Sequence, residues 1–189
     1  MLRSCVRVEL REIVLRDKPD AFLAASPSAT VPCLELGDQV LDESLDIMVW
    51  ALEQRDPDEL LAMPEAGWDL IRQNDGPFKS ALDHTKYATR YPDLDVRAER
   101  QKASAYMIEL NERLEGQPFL LGACERLADH ALFPFVRQFA NIDRAWFDAQ
   151  DWPNLGRWLR HFTENQAFSE IMQKIPTWQP GDPPVWFGS

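Results

Sequence analysis

The sequence predicts an α/β segment followed by an all-α one, and three observations carry that prediction. Val6, Val8 and Leu10 alternate with Arg7, Glu9 and Arg11, the two-residue period of a strand with one buried face. The run from Ser28 to Leu52 reads as a strand, a tight turn, a second short strand and the start of an amphipathic helix. From Trp68 onward, apolar residues recur at helical spacing between prolines and capping residues. Gln54 to Ala66, with Asp56-Pro57-Asp58 and Met63-Pro64, reads as a linker, so the expected domains are residues 1–55 and 67–189.

In chain order, the first strand is expected over Val6–Leu15, ended by Asp17-Lys18-Pro19. Asp20 can cap a short helix through Ala25, which Pro27 stops. Val31-Pro32 opens the next strand; Pro32 has no N–H, so the chain joins a sheet there at an edge or through a bend. Both isomers of the Val31–Pro32 bond fit the residues. Leu34 and Leu36 alternate with Cys33 and Glu35, and Gly37-Asp38 is turn chemistry before Gln39-Val40-Leu41. Asp42, Glu43 and Ser44 then crowd a helix start, where free N–H groups need acceptors. Leu45, Met48, Val49 and Leu52 give that helix an apolar face.

In the second part, a helix through Trp68, Leu70 and Ile71 is expected to break at Asp75-Gly76-Pro77. Asp75 would cap the next, with Pro77 in its first turn, running through Phe78, Leu82 and Tyr87 to Tyr91 before Pro92. Asp95 can cap a helix from Val96 to Leu114 with Ala103, Met107, Leu110 and Leu114 on one stripe. After Gly116-Gln117-Pro118, a helix kinked at Pro134 is expected to reach Phe147. Trp152-Pro153 starts another, with Leu155, Trp158, Leu159 and Phe162 buried, and Ala167–Ile175 is a last short one. The remaining tail is rich in proline, but Trp178, Trp186 and Phe187 predict that it packs.

The net charge of -11 argues against nucleic-acid and anionic-membrane partners, whose phosphates would repel it. Three widely spaced cysteines, Cys5, Cys33 and Cys124, fit a reducing compartment better than a disulfide scaffold. No apolar run is long enough for a membrane span and Arg3 and Arg7 precede no signal-peptide core, so a cytoplasmic protein is expected. His84, His130 and His161 have no metal-site spacing, and no metal is expected. His130 reads as a partly buried or cap-region residue, and no glycine-rich phosphate loop is present.

TVPCLELGDQVLDES resembles the glutathione-binding segment of glutathione S-transferases. The resemblance implies that the Val31 backbone pairs with the cysteinyl part of glutathione, as a strand adds to a sheet edge. It implies that Pro32 holds that backbone open, and that Ser44, with its own N–H and Glu43, takes the γ-glutamyl end at a helix N-terminus. On the residues alone, Ser44 or Asp42 serves as well as a plain helix cap. RVELREIVLRDKPDAFLAASPSATVP resembles the second strand and second helix of the family's thioredoxin-like half, and MLRSCVRVEL the tail of its first helix. The implied fold is a truncated thioredoxin-like half followed by the family's helical domain, and the catalytic residue is unknown. The strand and the Tyr, Ser or Cys that activates the thiol in the family would precede Met1. A late-assigned start, a truncation, or another element in the gap would each account for that.

Cys5 would lie near a helix C-terminus, which disfavours a thiolate, and Cys33 and Cys124 read as small half-buried residues. PFLLGACERLADHALFPFV resembles the family's C-terminal half, where a Ser/Thr-x-x-Asp capping box opens a helix. Asp129 holds the acidic position but Arg126 stands at the cap, and a lost cap costs about 1 kcal/mol. Glu125 or a loop carbonyl could compensate. The function implied is glutathione binding, with glutathione as ligand or as co-substrate whose thiolate attacks a small apolar electrophile. Tyr106, Met107 and Trp178 would line the electrophile pocket, and the helices from Trp68 to Leu114 would form a homodimer. The alternatives are a non-catalytic relative that binds glutathione or a protein, and a helical interaction module.

Overall fold

The computed structural model describes residues 1–188. The chain forms two compact units, residues 1–61 with 170–188, and Ala62–Ser169. The first contains β1 (Val8–Glu9), α1 (Asp20–Ala25), β2 (Leu34–Leu36), β3 (Gln39–Leu41), α2 (Ser44–Gln54) and β4 (Trp186–Phe187). β2 and β3 form an antiparallel hairpin in the register Leu34↔Leu41, Glu35↔Val40 and Leu36↔Gln39. Its two-residue turn uses Gly37 at φ +66°, a conformation glycine adopts without steric cost. β1 pairs antiparallel with β4, and the two ladders share no strand.

The strand expected over Val6–Leu15 is much shorter. Regular pairing stops at Glu9, Glu12 makes a single bridge to Thr177, and a tight turn joins Val14 to Asp17. One short partner supports only a short ladder. Asp20 is the first residue of α1, and Pro19 is the cap. Of the predicted apolar face of α2, Leu52 is buried, while Leu45, Met48 and Val49 are half-buried. Cys5 lies in an exposed turn at φ +52°, and Cys124 is exposed where a half-buried residue was expected.

The helical unit contains α3 (Glu65–Gln73), α4 (Lys79–Lys86), α5 (Val96–Arg113), α6 (Leu127–Ala140), α7 (Arg144–Asp148) and α8 (Pro153–Thr163); α9 (Gln166–Ile171) follows. The predicted break at Asp75-Gly76-Pro77 is instead one π-helical turn, Asn74–Phe78, that carries α3 into α4. Wider winding accommodates Pro77, which lacks the donor an α-turn would need. α4 ends at Lys86, and a 3-10 turn over Ala88–Arg90 finishes the segment. Asp95 caps α5 as expected, accepting from Arg97 N–H, and Ala103, Met107, Leu110 and Leu114 are all fully buried. α6 stops at Ala140, not Phe147, because Asp143 caps the separate α7 through Trp146 N–H. The last helix is likewise shorter than predicted, ending at Ile171. No described helix is long and apolar enough to cross a membrane.

The Arg126 cap is only half broken. Arginine has no acceptor, so its side chain cannot cap, but the Arg126 carbonyl takes the Asp129 N–H at 3.0 Å. Asp129 completes the return half, accepting from Arg126 N–H at 2.9 Å. It also accepts from Leu120 N–H at 3.0 Å and Trp158 Nε1–H at 2.8 Å. A fully buried carboxylate thus fastens a loop, the start of α6 and the centre of α8. Burial pushes its pKa up, and the three N–H donors hold it back.

Candidate functional site

The hairpin places the predicted site residues. Leu34 and Leu41 are the last paired residues at its open end. Val31 lies three residues before the first and Ser44 three after the second, so the ladder brings both to the same end of the hairpin. The Val31–Pro32 bond is cis. Val31 is 45% exposed, and Pro32 is exposed beside it. Neither Val31 backbone group takes part in a ladder among the described residues.

The preceding loop is held by hydroxyls that were not singled out in the sequence. Ser28 Oγ and Thr30 Oγ1 are 2.5 Å apart, Thr30 N–H donates to Ser28 Oγ at 3.3 Å, and buried Ser26 donates to the Thr30 carbonyl at 3.4 Å. Ser/Thr side chains that bond nearby backbone fix turns in this way. The cluster SPSAT was the available signal, but hydroxyl-rich stretches are common in loops.

At the other side of the hairpin, Ser44 is the first residue of α2 and Glu43 is its N-cap, at φ −105° and ψ 132°. Neither side chain makes a cap hydrogen bond, and both are exposed. The plain capping role left open for Ser44 and Asp42 is therefore not realised. The first-turn N–H groups of α2 and the Ser44 hydroxyl are available donors, and the helix dipole adds partial positive charge there. Such an end suits a carboxylate.

Other predicted positions lie elsewhere. Tyr106 and Met107 sit in the core of the helical unit, not in a pocket wall; the Tyr106 hydroxyl donates to the Leu70 carbonyl at 2.8 Å. Trp178 is half-buried against the Arg11 guanidinium at 4.7 Å. Among the described residues, no group of His, Cys, Asp and Glu is arranged to hold a metal.

The histidines have structural partners. His84 Nδ1 lies 2.9 Å from buried Glu99. Glu125 spans two imidazoles, with His161 Nε2 at 2.8 Å and His130 Nε2 at 2.9 Å. His130 is partly buried, as its position suggested, but the bridge joins residues 36 apart in sequence and no local pattern announces it.

Residues 3–60 match the model of the glutathione S-transferase N-terminal domain, and residues 87–161 match that of the C-terminal domain. BphK, a bacterial glutathione S-transferase solved as a ternary complex, superposes with a TM-score of 0.73 at 21% identity, over 90% of this chain and 89% of its own. A family member from Pseudomonas fluorescens Pf-5, solved with two glutathione bound, gives 0.63 at 22% identity, over 80% of this chain and 74% of its own. A glutathione transferase from Burkholderia graminis, with two glutathione molecules per subunit, gives 0.64 at 22%, over 80% and 70%. No curated protein matches the chain.

Proposed function

The chain belongs to the glutathione S-transferase family, with its thioredoxin-like and helical halves, and on that premise we propose that it binds glutathione at the open end of the β2–β3 hairpin. The observation that carries this reading is the pairing register, in which the unladdered Val31 backbone and the uncapped start of α2 flank the same end of the hairpin. The cysteinyl backbone of glutathione would pair with Val31, using its N–H and carbonyl as an edge strand does. The γ-glutamyl carboxylate would accept from the Ser44 hydroxyl and first-turn N–H groups, while Glu43 would face the α-ammonium. Two neighbours of the same fold were solved with glutathione bound, which supports this ligand.

Family membership points further, to transfer of the glutathione thiol to an apolar electrophile. In that chemistry the thiol loses its proton, the thiolate sulfur bonds the electrophilic carbon, and the leaving group departs or the adduct is protonated. The residues assigned here hold glutathione; thiol activation is a separate function that none of them is assigned. A homodimer through the helices from Trp68 to Leu114 belongs to the same reading.

The test is calorimetric titration of reduced glutathione into the full chain, with Ser44→Ala as control. Saturable binding is expected, weakened by roughly tenfold in the variant, the value of a hydrogen bond to a charged group. Equal binding by both proteins would remove Ser44 from the site. No binding to folded protein would sink the proposal and favour an interaction module.

A further inference from the structure

A groove of about 510 Å³ opens in the helical unit between the end of α4 and the second half of α6. Small-molecule sites fall in the same range, roughly 300–1,000 Å³. Lys86, Pro134, Arg137, Gln138, Asn141 and Ile142 line it. The wall therefore carries two cations, two side-chain amides and two apolar surfaces, and no carboxylate among the described residues. In a chain with a net charge of -11, that makes it a locally positive surface.

Aromatic rings, and not carboxylates, position the cations. The Arg137 guanidinium lies 4.9 Å from the centre of the Phe168 ring, and Phe168 is held edge-on by Phe133 at 5.5 Å. Lys86 Nζ lies 4.7 Å from the centre of the Tyr87 ring, with the Arg90 guanidinium 4.4 Å from the same ring. The carboxylates on adjoining elements are engaged elsewhere: Asp83 by Lys79 at 3.1 Å, Asp143 by Arg100 at 3.6 Å and Asp148 by Arg144 at 2.8 Å. Among the described residues, neither Lys86 nor Arg137 has an oxygen acceptor for its side-chain N–H groups. A ring face attracts a cation but leaves the in-plane donors of a guanidinium unused, so Arg137 is held in place with donors to spare. Both residues occupy the last turn of a helix, where a cation also answers free carbonyls. That role does not require two cations to share one groove.

We propose that this groove binds a small organic oxyanion. The anionic head would sit between Lys86 and Arg137, and a short apolar body would lie against Pro134 and Ile142. A phosphate monoester matches the wall: it carries close to two charges and three strong acceptor oxygens, enough for both cations and for the amide N–H groups of Gln138 and Asn141. Arginine offers such a head a paired set of donors and keeps its charge at any working pH. A positive groove on an acidic protein also draws anions to itself, and salt screens that attraction. The groove lies wholly within the helical unit, so the proposal stands apart from the glutathione reading.

The experiment is calorimetric titration of phenyl phosphate into the full chain, with inorganic phosphate as the comparison. One saturable site is expected for phenyl phosphate, with inorganic phosphate binding several-fold more weakly because it lacks the apolar body. Added sodium chloride should weaken both. Arg137→Gln should weaken phenyl phosphate binding at least tenfold and Lys86→Gln several-fold. Saturating glutathione should not displace the ligand.

No saturable binding to the folded chain would overturn the proposal. So would binding unchanged in both variants, equal affinity for inorganic phosphate, or displacement by glutathione. Hydrogen exchange at Met107 and Leu110 in α5 reports whether each variant keeps its core. If Arg137→Gln strips that protection, Lys86→Gln decides, because Lys86 is exposed and outside the core. Several-fold weaker binding then supports the groove, and unchanged binding rejects it.

Discussion

The two units hold themselves together differently. In the helical unit, Leu70, Leu82, Met107, Leu110, Leu127, Leu132, Val136, Leu155 and Trp158 are all without solvent exposure. In residues 1–61 with 170–188, the buried apolar side chains are Ala51, Leu52 and Leu60 alone. That unit relies on backbone ladders, a hydroxyl-fixed loop and tail pairing. Its proposed ligand site therefore lies in the part with less packing, where local opening is easiest. The helical unit is held instead by its enclosed apolar core.

Asp129→Ala should produce the largest break. It strands the Leu120, Arg126 and Trp158 donors inside the helical unit and leaves a void. Roughly 3–5 kcal/mol of stability should be lost, since each buried orphan donor costs about 1–3 kcal/mol. Urea unfolding followed by tryptophan fluorescence measures it; a loss below about 1 kcal/mol would mean that the carboxylate is not the fastening described. Truncations compare the units next. Met107→Ala should cost about 2–5 kcal/mol, because the site is fully enclosed. Leu36→Ala in the half-buried hairpin should cost distinctly less. Similar losses would erase the contrast.

The same contrast explains what could be read from the sequence. Long stripes such as Ala103, Met107, Leu110 and Leu114 state a helix and its buried face together; α5 matched its predicted span closely, and α8 its predicted start and buried face. The hairpin was legible because Gly37-Asp38 is local turn chemistry. Val31 and Ser44 flank that hairpin, so their place at its open end was legible too. Errors arose where a distant partner decided the outcome. The length of β1 is set by a tail almost the whole chain away in sequence, Val8 pairing with Phe187, and the Asp129 carboxylate gathers donors from residues 120 to 158. Pro77 misled because proline usually ends a helix, whereas a π-turn lets the chain continue.

Ser44→Ala sharpens the comparison from the other side. Ser44 is exposed and its hydroxyl caps nothing, so stability should change by less than about 0.5 kcal/mol while glutathione binding weakens. A large loss of stability would mean that Ser44 serves the fold, and it would remove the distinction between a packed unit and a binding unit.

The smallest expected effect is a pH dependence inside the helical unit. Glu99 is buried, with Lys102 Nζ at 2.5 Å and His84 Nδ1 at 2.9 Å. The hydrogen bond from Lys102, then that from His84, holds its pKa below the ordinary glutamate value. A carboxylate whose pKa is depressed on folding binds protons more weakly in the folded chain than in the unfolded one. Its contribution is therefore present above the unfolded glutamate pKa and is lost as pH falls through the folded one. The stability difference between the parent chain and Glu99→Gln should be constant near neutrality and shrink through the acid range below the ordinary glutamate pKa. Urea midpoints at a series of pH values would measure it. A difference that stays the same down to the acid end would mean that Glu99 contributes through packing or neutral hydrogen bonding and not through its charge.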